Sequence, residues 1–141
     1  MNLVVDASVA AKWLFVEPDT GKARAILESA ESGELQLLAP EILPAEIANS
    51  LWKRTQRGDL DGASALGLFD GFQKVDFKLC RVQELIGPAL NIAFRHHHPV
   101  YDCLYVVLAR REGCDLVTAD EKLYRAFAHV FPGVHLLRDL S

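Results

Sequence analysis

A chain of 141 residues, half of them hydrophobic and 24 % charged, has the length and apolar content of one folded domain, which excludes a disordered protein. A formal net charge of −4 excludes a chain that binds nucleic acid through overall basicity, so any such binding has to come from local basic clusters. Three cysteines without a CxxC pair, no basic-then-apolar leader, and no apolar run near the roughly 18 residues of a membrane span make a soluble cytoplasmic protein the expectation.

Leu3 to Val5 reads as a short strand that ends at Asp6, and Ala7 to Val16 as a helix stopped by Glu17-Pro18. Thr20 to Ala30 is a second helix, capped by Asp19 or Thr20. Leu35 to Ala39 is a strand closed by Pro40. Over residues 41–57 the apolar positions Ile42, Leu43, Ile47, Leu51 and Trp52 recur at helical spacing, up to Gly58. Asp61 to Gln73 is helical, weakened at Gly62, Gly67 and Gly71 by about 1 kcal/mol each relative to Ala. Val75 to Leu79 is a strand and residues 81–97 a helix. Pro99 suits the first position of a helix that runs to Arg111 and ends at Gly113. Asp115 to Thr118 is a strand, Glu121 to Ala128 a helix, and Gly133 to Leu137 a last strand. This alternation predicts a single α/β domain over residues 1–141, with a central parallel sheet of about five short strands flanked by helices.

Ligands in such folds bind at the carboxyl ends of strands, near a switch in strand order. Asp6 and Asp120 both stand there, each directly after an apolar strand. Either could also cap the helix that follows, with Ser8 or Thr118 sharing that task. Asp102 falls in the first turn of its helix, where the macrodipole favours an anion, yet apolar residues surround it from Tyr101 to Ala109. Glu46 lies at the border of an apolar stripe, beside Asn49, Ser50, Lys53 and Arg57. It reads as a solvated glutamate, or as the acid of a groove that Lys53 and Arg57 line with positive charge. Asp115 opens its strand and therefore belongs to the far edge of the sheet. His96, His97 and His98 point in three directions on a helix, so a solvated helix end is the expectation there.

Carboxylates beside a core are costly unless they pair, take up a proton or bind a metal. An all-carboxylate set without a Cys or His pair suits a hard cation, Mg²⁺ or Mn²⁺, and such an ion supports phosphodiester hydrolysis.

The segments LVVDAS, PEILPAEIANSLWK, HPVYDCLYVVLARREG and LVTADEKL, in this order and at these spacings, resemble the PIN domain, and within it the VapC-type ribonuclease toxins of toxin–antitoxin pairs. The resemblance implies that Asp6, Glu46, Asp102 and Asp120 form an acidic quartet around one or two Mg²⁺ or Mn²⁺ ions. It places Ser8 and Thr118 at small polar accessory positions. Cys103 departs from the alanine that commonly follows the third acid. The implied activity is endonucleolytic cleavage of RNA by a metal-activated water, leaving 5′-phosphate and 3′-hydroxyl ends. The implied partners are the RNA substrate, a cognate antitoxin and a second copy of the chain in a homodimer. Within that implied quartet, Asp6 and Asp102 rank as direct ligands, with Asp120 and Glu46 holding a second ion or orienting water.

Two other readings compete. In a non-catalytic binding module the acids only cap helices. In a small-molecule phosphohydrolase Asp6 is the nucleophile, but the usual second acid two residues on is Ser8 here. Partner capture is a separate expectation, motivated by Leu66, Leu68, Phe69 and Phe72 in the glycine-weakened segment.

Overall fold

The computed structural model describes residues Met1–Ser141 as one sheet between two helical layers. Five strands, β1 (Asn2–Val5), β2 (Gln36–Pro40), β3 (Phe77–Cys80), β4 (Asp115–Thr118) and β5 (Val134–Leu136), pair in parallel in the order β3-β2-β1-β4-β5. From β1 the chain builds outward through β2 to β3, then returns to the other side of β1 with β4. The strand order therefore switches between β1 and β4, and the register Val5↔Val117 sets Asp6 level with Thr118.

Alternation along the strands divides the core. Val4, Leu38, Leu116 and Val134 face the larger cluster, while Val5, Leu37 and Val117 face a smaller one built on Ala23 and Ile26. Helix α6 (Val100–Glu112) lies against the larger face and buries seven consecutive residues, Cys103 to Ala109. A helix apolar all round belongs inside a protein, and its burial there is what carries Asp102 to the sheet's edge.

The remaining helices are α1 (Ala7–Ala10), α2 (Thr20–Glu31), α3 (Leu43–Gln56), α4 (Gly62–Gln73), α5 (Ile86–His96) and α7 (Glu121–Phe127). Several differ from the sequence expectations for identifiable reasons. The first helix does not run to Val16: after Ala10 it tightens into a 3₁₀ turn, Ala11–Trp13, and the Trp13 indole N–H donates to the carbonyl of Ala23 at 2.8 Å. Residues 81–97 are not one helix but a 3₁₀ turn, Val82–Glu84, followed by α5. Pro88 lacks an amide donor, so it is tolerated only in a first turn, and the helix starts at Ile86. Asp19 does not cap α2: it is left-handed at φ 67°, while Thr20 Oγ1 accepts from the amide of Glu17. Pro99 precedes α6 rather than opening it. The third strand begins at Phe77, because Val75 and Phe77 form a turn onto Phe72 and Val75. No helix is long and apolar enough to cross a membrane.

Candidate active site

Asp6 caps α1 and is only 4 % exposed. Three donors converge on its carboxylate: Ser8 Oγ on Oδ1 at 2.5 Å, Thr118 Oγ1 on Oδ2 at 2.5 Å, and the Val9 amide on Oδ1 at 3.2 Å. The two hydroxyls are oriented from behind. Ser8 Oγ accepts from the amide of Ala119 at 2.8 Å, and Thr118 Oγ1 accepts from that of Asp120 at 3.0 Å. Each hydroxyl has one proton, and both protons are thereby committed to Asp6. The same bonds tie the end of β1 to the turn after β4. Burial pushes the Asp6 carboxyl up from 3.8 to about 6; the Ser8, Thr118 and Val9 hydrogen bonds oppose the rise, and the charge of Asp102 adds to it.

Asp102 stands in the first turn of α6, and His98 Nε2 meets its Oδ2 at 2.8 Å. The expectation of a solvated helix end fails for two of the three histidines. The left-handed His97, at φ 52°, ends α5 and turns the chain, so that only His97 stays exposed. His96 and His98 set their rings edge-on against Phe127, at 5.1 and 5.5 Å. The four-residue spacing between His98 and Asp102 was the available signal.

Glu46 lies in the first turn of α3 and is half-buried rather than solvated. The buried Tyr105 donates its hydroxyl to Glu46 Oε1 at 2.5 Å. Burial raises the Glu46 carboxyl; the Tyr105 bond opposes this, and the charge of Asp102 reinforces it. Burial also pushes the Tyr105 phenol up, and the charges of Glu46, Asp6 and Asp102 add to that shift. Sequence reading missed Tyr105 as part of this constellation, although a tyrosine inside an apolar helix needs a partner for its hydroxyl.

Asp6, Glu46 and Asp102 thus form one electrostatic unit around Tyr105. Asp120 stands at the adjoining helix start, where its Oδ1 caps α7 by accepting from the amides of Lys122 and Leu123 at 2.8 and 3.4 Å. Its capping role is therefore present. No three of the His, Cys, Asp and Glu side chains are drawn together into a ready cage. Asp6, Glu46 and Asp102 offer carboxylate oxygens from three elements, one of them buried and short of compensating charge. That fits a hard cation, which keeps several of its waters and needs few protein ligands. Glu46, Asn49, Ser50, Lys53 and Arg57 line a groove of about 530 Å³, as the spacing along α3 suggested.

A family model described as PIN domain matches residues 3–128. The chain is 35 % identical over 131 residues to Ribonuclease VapC3 of Pyrobaculum aerophilum, a match that covers 90 % of this chain and 95 % of that relative. In fold it is similar to the crystal structure of PAE2754 from Pyrobaculum aerophilum, with a TM-score of 0.72 at 24 % identity over 98 % of this chain and 93 % of that one. It is also similar to a chain of VapBC2 from Rickettsia felis, solved with a fragment of promoter DNA, with a TM-score of 0.65 at 16 % identity over 96 % and 97 %. Nucleases of the matched family generally use a divalent metal. With a family model over most of its length and a ribonuclease relative of nearly its full extent, the chain belongs to the PIN-domain family and, within it, to the VapC type.

Proposed function

We propose that this protein is a divalent-metal-dependent endoribonuclease and the toxin of a toxin–antitoxin pair. The observation that carries the reading is the convergence of Asp6, Glu46 and Asp102 at the switch between β1 and β4, at the mouth of a groove lined by Lys53 and Arg57. Asp6 and Asp102 would hold the ion, Mg²⁺ or Mn²⁺, through the carboxylate lone pairs that their hydrogen bonds leave open. When bound, the cation neutralises charge on the scissile phosphate and makes water a stronger nucleophile at neutral pH.

The chain's own groups do the rest. Ser8 and Thr118 fix the plane of the Asp6 carboxylate and keep it an acceptor. His98 holds Oδ2 of Asp102, which leaves Oδ1 for the ion. Tyr105 holds one oxygen of Glu46, and the other would orient the attacking water. Asp120 would help to hold a second ion. Lys53 and Arg57 would contact flanking phosphates, and in-line attack would leave 5′-phosphate and 3′-hydroxyl ends.

A cognate antitoxin is part of the same proposal, supported by the VapBC2 likeness, and so is the homodimer that the family resemblance implies. The surface is consistent with a partner at α4, where Leu66 is 70 % exposed. Phe72, however, is in the core and unavailable for partner capture.

Purified protein is expected to cleave RNA internally with Mg²⁺ or Mn²⁺ and to stop when EDTA is added. Turnover of p-nitrophenyl phosphate without cleavage of RNA would turn the assignment to a small-molecule phosphohydrolase. Absence of either activity would favour the binding module.

A further inference from the structure

The groove beyond the acids carries one feature that metal chemistry does not use. Trp52 is 58 % exposed and lies on the groove wall with Asn49 and Gln56, about one and two-thirds turns beyond Glu46, or about 9 Å along the helix axis. The other tryptophan, Trp13, has its indole bonded to Ala23 and its ring against Phe77 at 5.8 Å, as expected of a structural residue. A single exposed apolar side chain is ordinary by itself. This one shares its groove with Lys53, which has no carboxylate partner, and with Arg57, whose 3.6 Å contact to Asp59 is solvent-exposed and weak. Arg54, by contrast, is committed to Glu17 at 2.6 Å and to the ring of Phe15 at 3.6 Å, so it belongs to the fold.

An exposed indole beside two cations without strong carboxylate partners, with amide and hydroxyl groups in the same groove, matches a strand of nucleic acid with its bases unstacked. A protein helix would instead seek a groove lined by apolar residues, and six of the eight residues that line this one are polar or charged. We propose that Trp52 stacks on an unpaired base of the RNA near the cleaved bond, while Lys53 and Arg57 hold the phosphates around it. The proposal rests on the ribonuclease reading and adds a base-positioning residue to it. Stacking accepts every base, so Trp52 selects unpaired over paired RNA rather than a sequence.

The test is fluorescence anisotropy in EDTA, using octaadenylate and the same oligomer with a single abasic nucleotide placed at each position in turn. Trp52→Ala is expected to bind octaadenylate roughly tenfold to a hundredfold more weakly than wild type, and Trp52→Phe to recover part of the loss. One abasic position should abolish the difference between wild type and Trp52→Ala. Equal binding by Trp52→Ala, or the same penalty on every abasic oligomer, overturns the proposal. So does a variant that loses only affinity for a partner protein, since the ring then serves protein docking. Cleavage by wild type with Mg²⁺ is scored alongside. If wild type cleaves and Trp52→Ala binds equally well, only the stacking proposal falls; if wild type does not cleave, the ribonuclease reading itself fails.

Discussion

Asp6→Asn and Asp102→Asn should each slow RNA cleavage by at least roughly 10²-fold, because a cation at the reacting phosphate is worth several kcal/mol and each factor of ten in rate is about 1.36 kcal/mol. Asparagine keeps the shape of the side chain and part of its hydrogen bonding, so the fold should survive. Asp102→Asn retains an acceptor for His98, and Asp6→Asn retains one for Ser8 or Thr118. The measurement is the single-turnover rate at saturating Mg²⁺, with circular dichroism to confirm folding. A folded variant that cleaves within a few-fold of wild type removes that residue from the site. Asp120→Asn is a weaker discriminator, since the same carboxylate oxygen caps α7.

The second large effect is on stability. The Asp6 carboxyl rises from 3.8 to about 6 on folding, so the native state keeps this proton over a pH range in which the unfolded chain has released it. The stabilisation is therefore fully present below pH 3.8 and is lost as the pH rises through about 6. At about 1.36 kcal/mol per pH unit, this amounts to about 3 kcal/mol. Urea unfolding in EDTA at pH 4 and pH 7 should show wild type losing about 2 kcal/mol more stability than Asp6→Asn, most of that amount, since the loss has already begun at pH 4. The burial of Glu46 acts in the same direction. Added Mg²⁺ should restore wild type at pH 7 more than at pH 4, because the ion binds the ionised carboxylate. Parallel stability curves for wild type and Asp6→Asn would show that Asp6 is not desolvated in this way.

Much of this arrangement could be read before any coordinates. The alternation of apolar strands and periodic helices predicted a parallel sheet, and it placed Asp6 and Asp120 at its carboxyl edge. The apolar run around Asp102 marked a helix, and α6 buries that run from Cys103 to Ala109. Glu46 was the least legible acid. Its half-burial depends on Tyr105, fifty-nine residues away, and periodicity along α3 carries no information about that partner. Ser8 and Thr118 are accessory positions by resemblance; Ser8 reaches Asp6 locally, but that Thr118 bonds the opposite oxygen follows from the pairing of β1 with β4, which adjacency in sequence does not reveal. The reach of the 81–97 helix and the isolation of the histidines failed for local reasons: Pro88 restricts where a helix can begin, and the left-handed His97 turns His98 back onto Asp102.

The account depends most on the acids binding a metal, and an Mn²⁺-soaked crystal measured at the manganese absorption edge tests that directly. The expected result is an anomalous peak within coordinating distance, about 2 Å, of both Asp6 and Asp102, with Glu46 facing it directly or through water. A peak lodged elsewhere, or none at saturating Mn²⁺, would contradict the assignment of these carboxylates as the metal site.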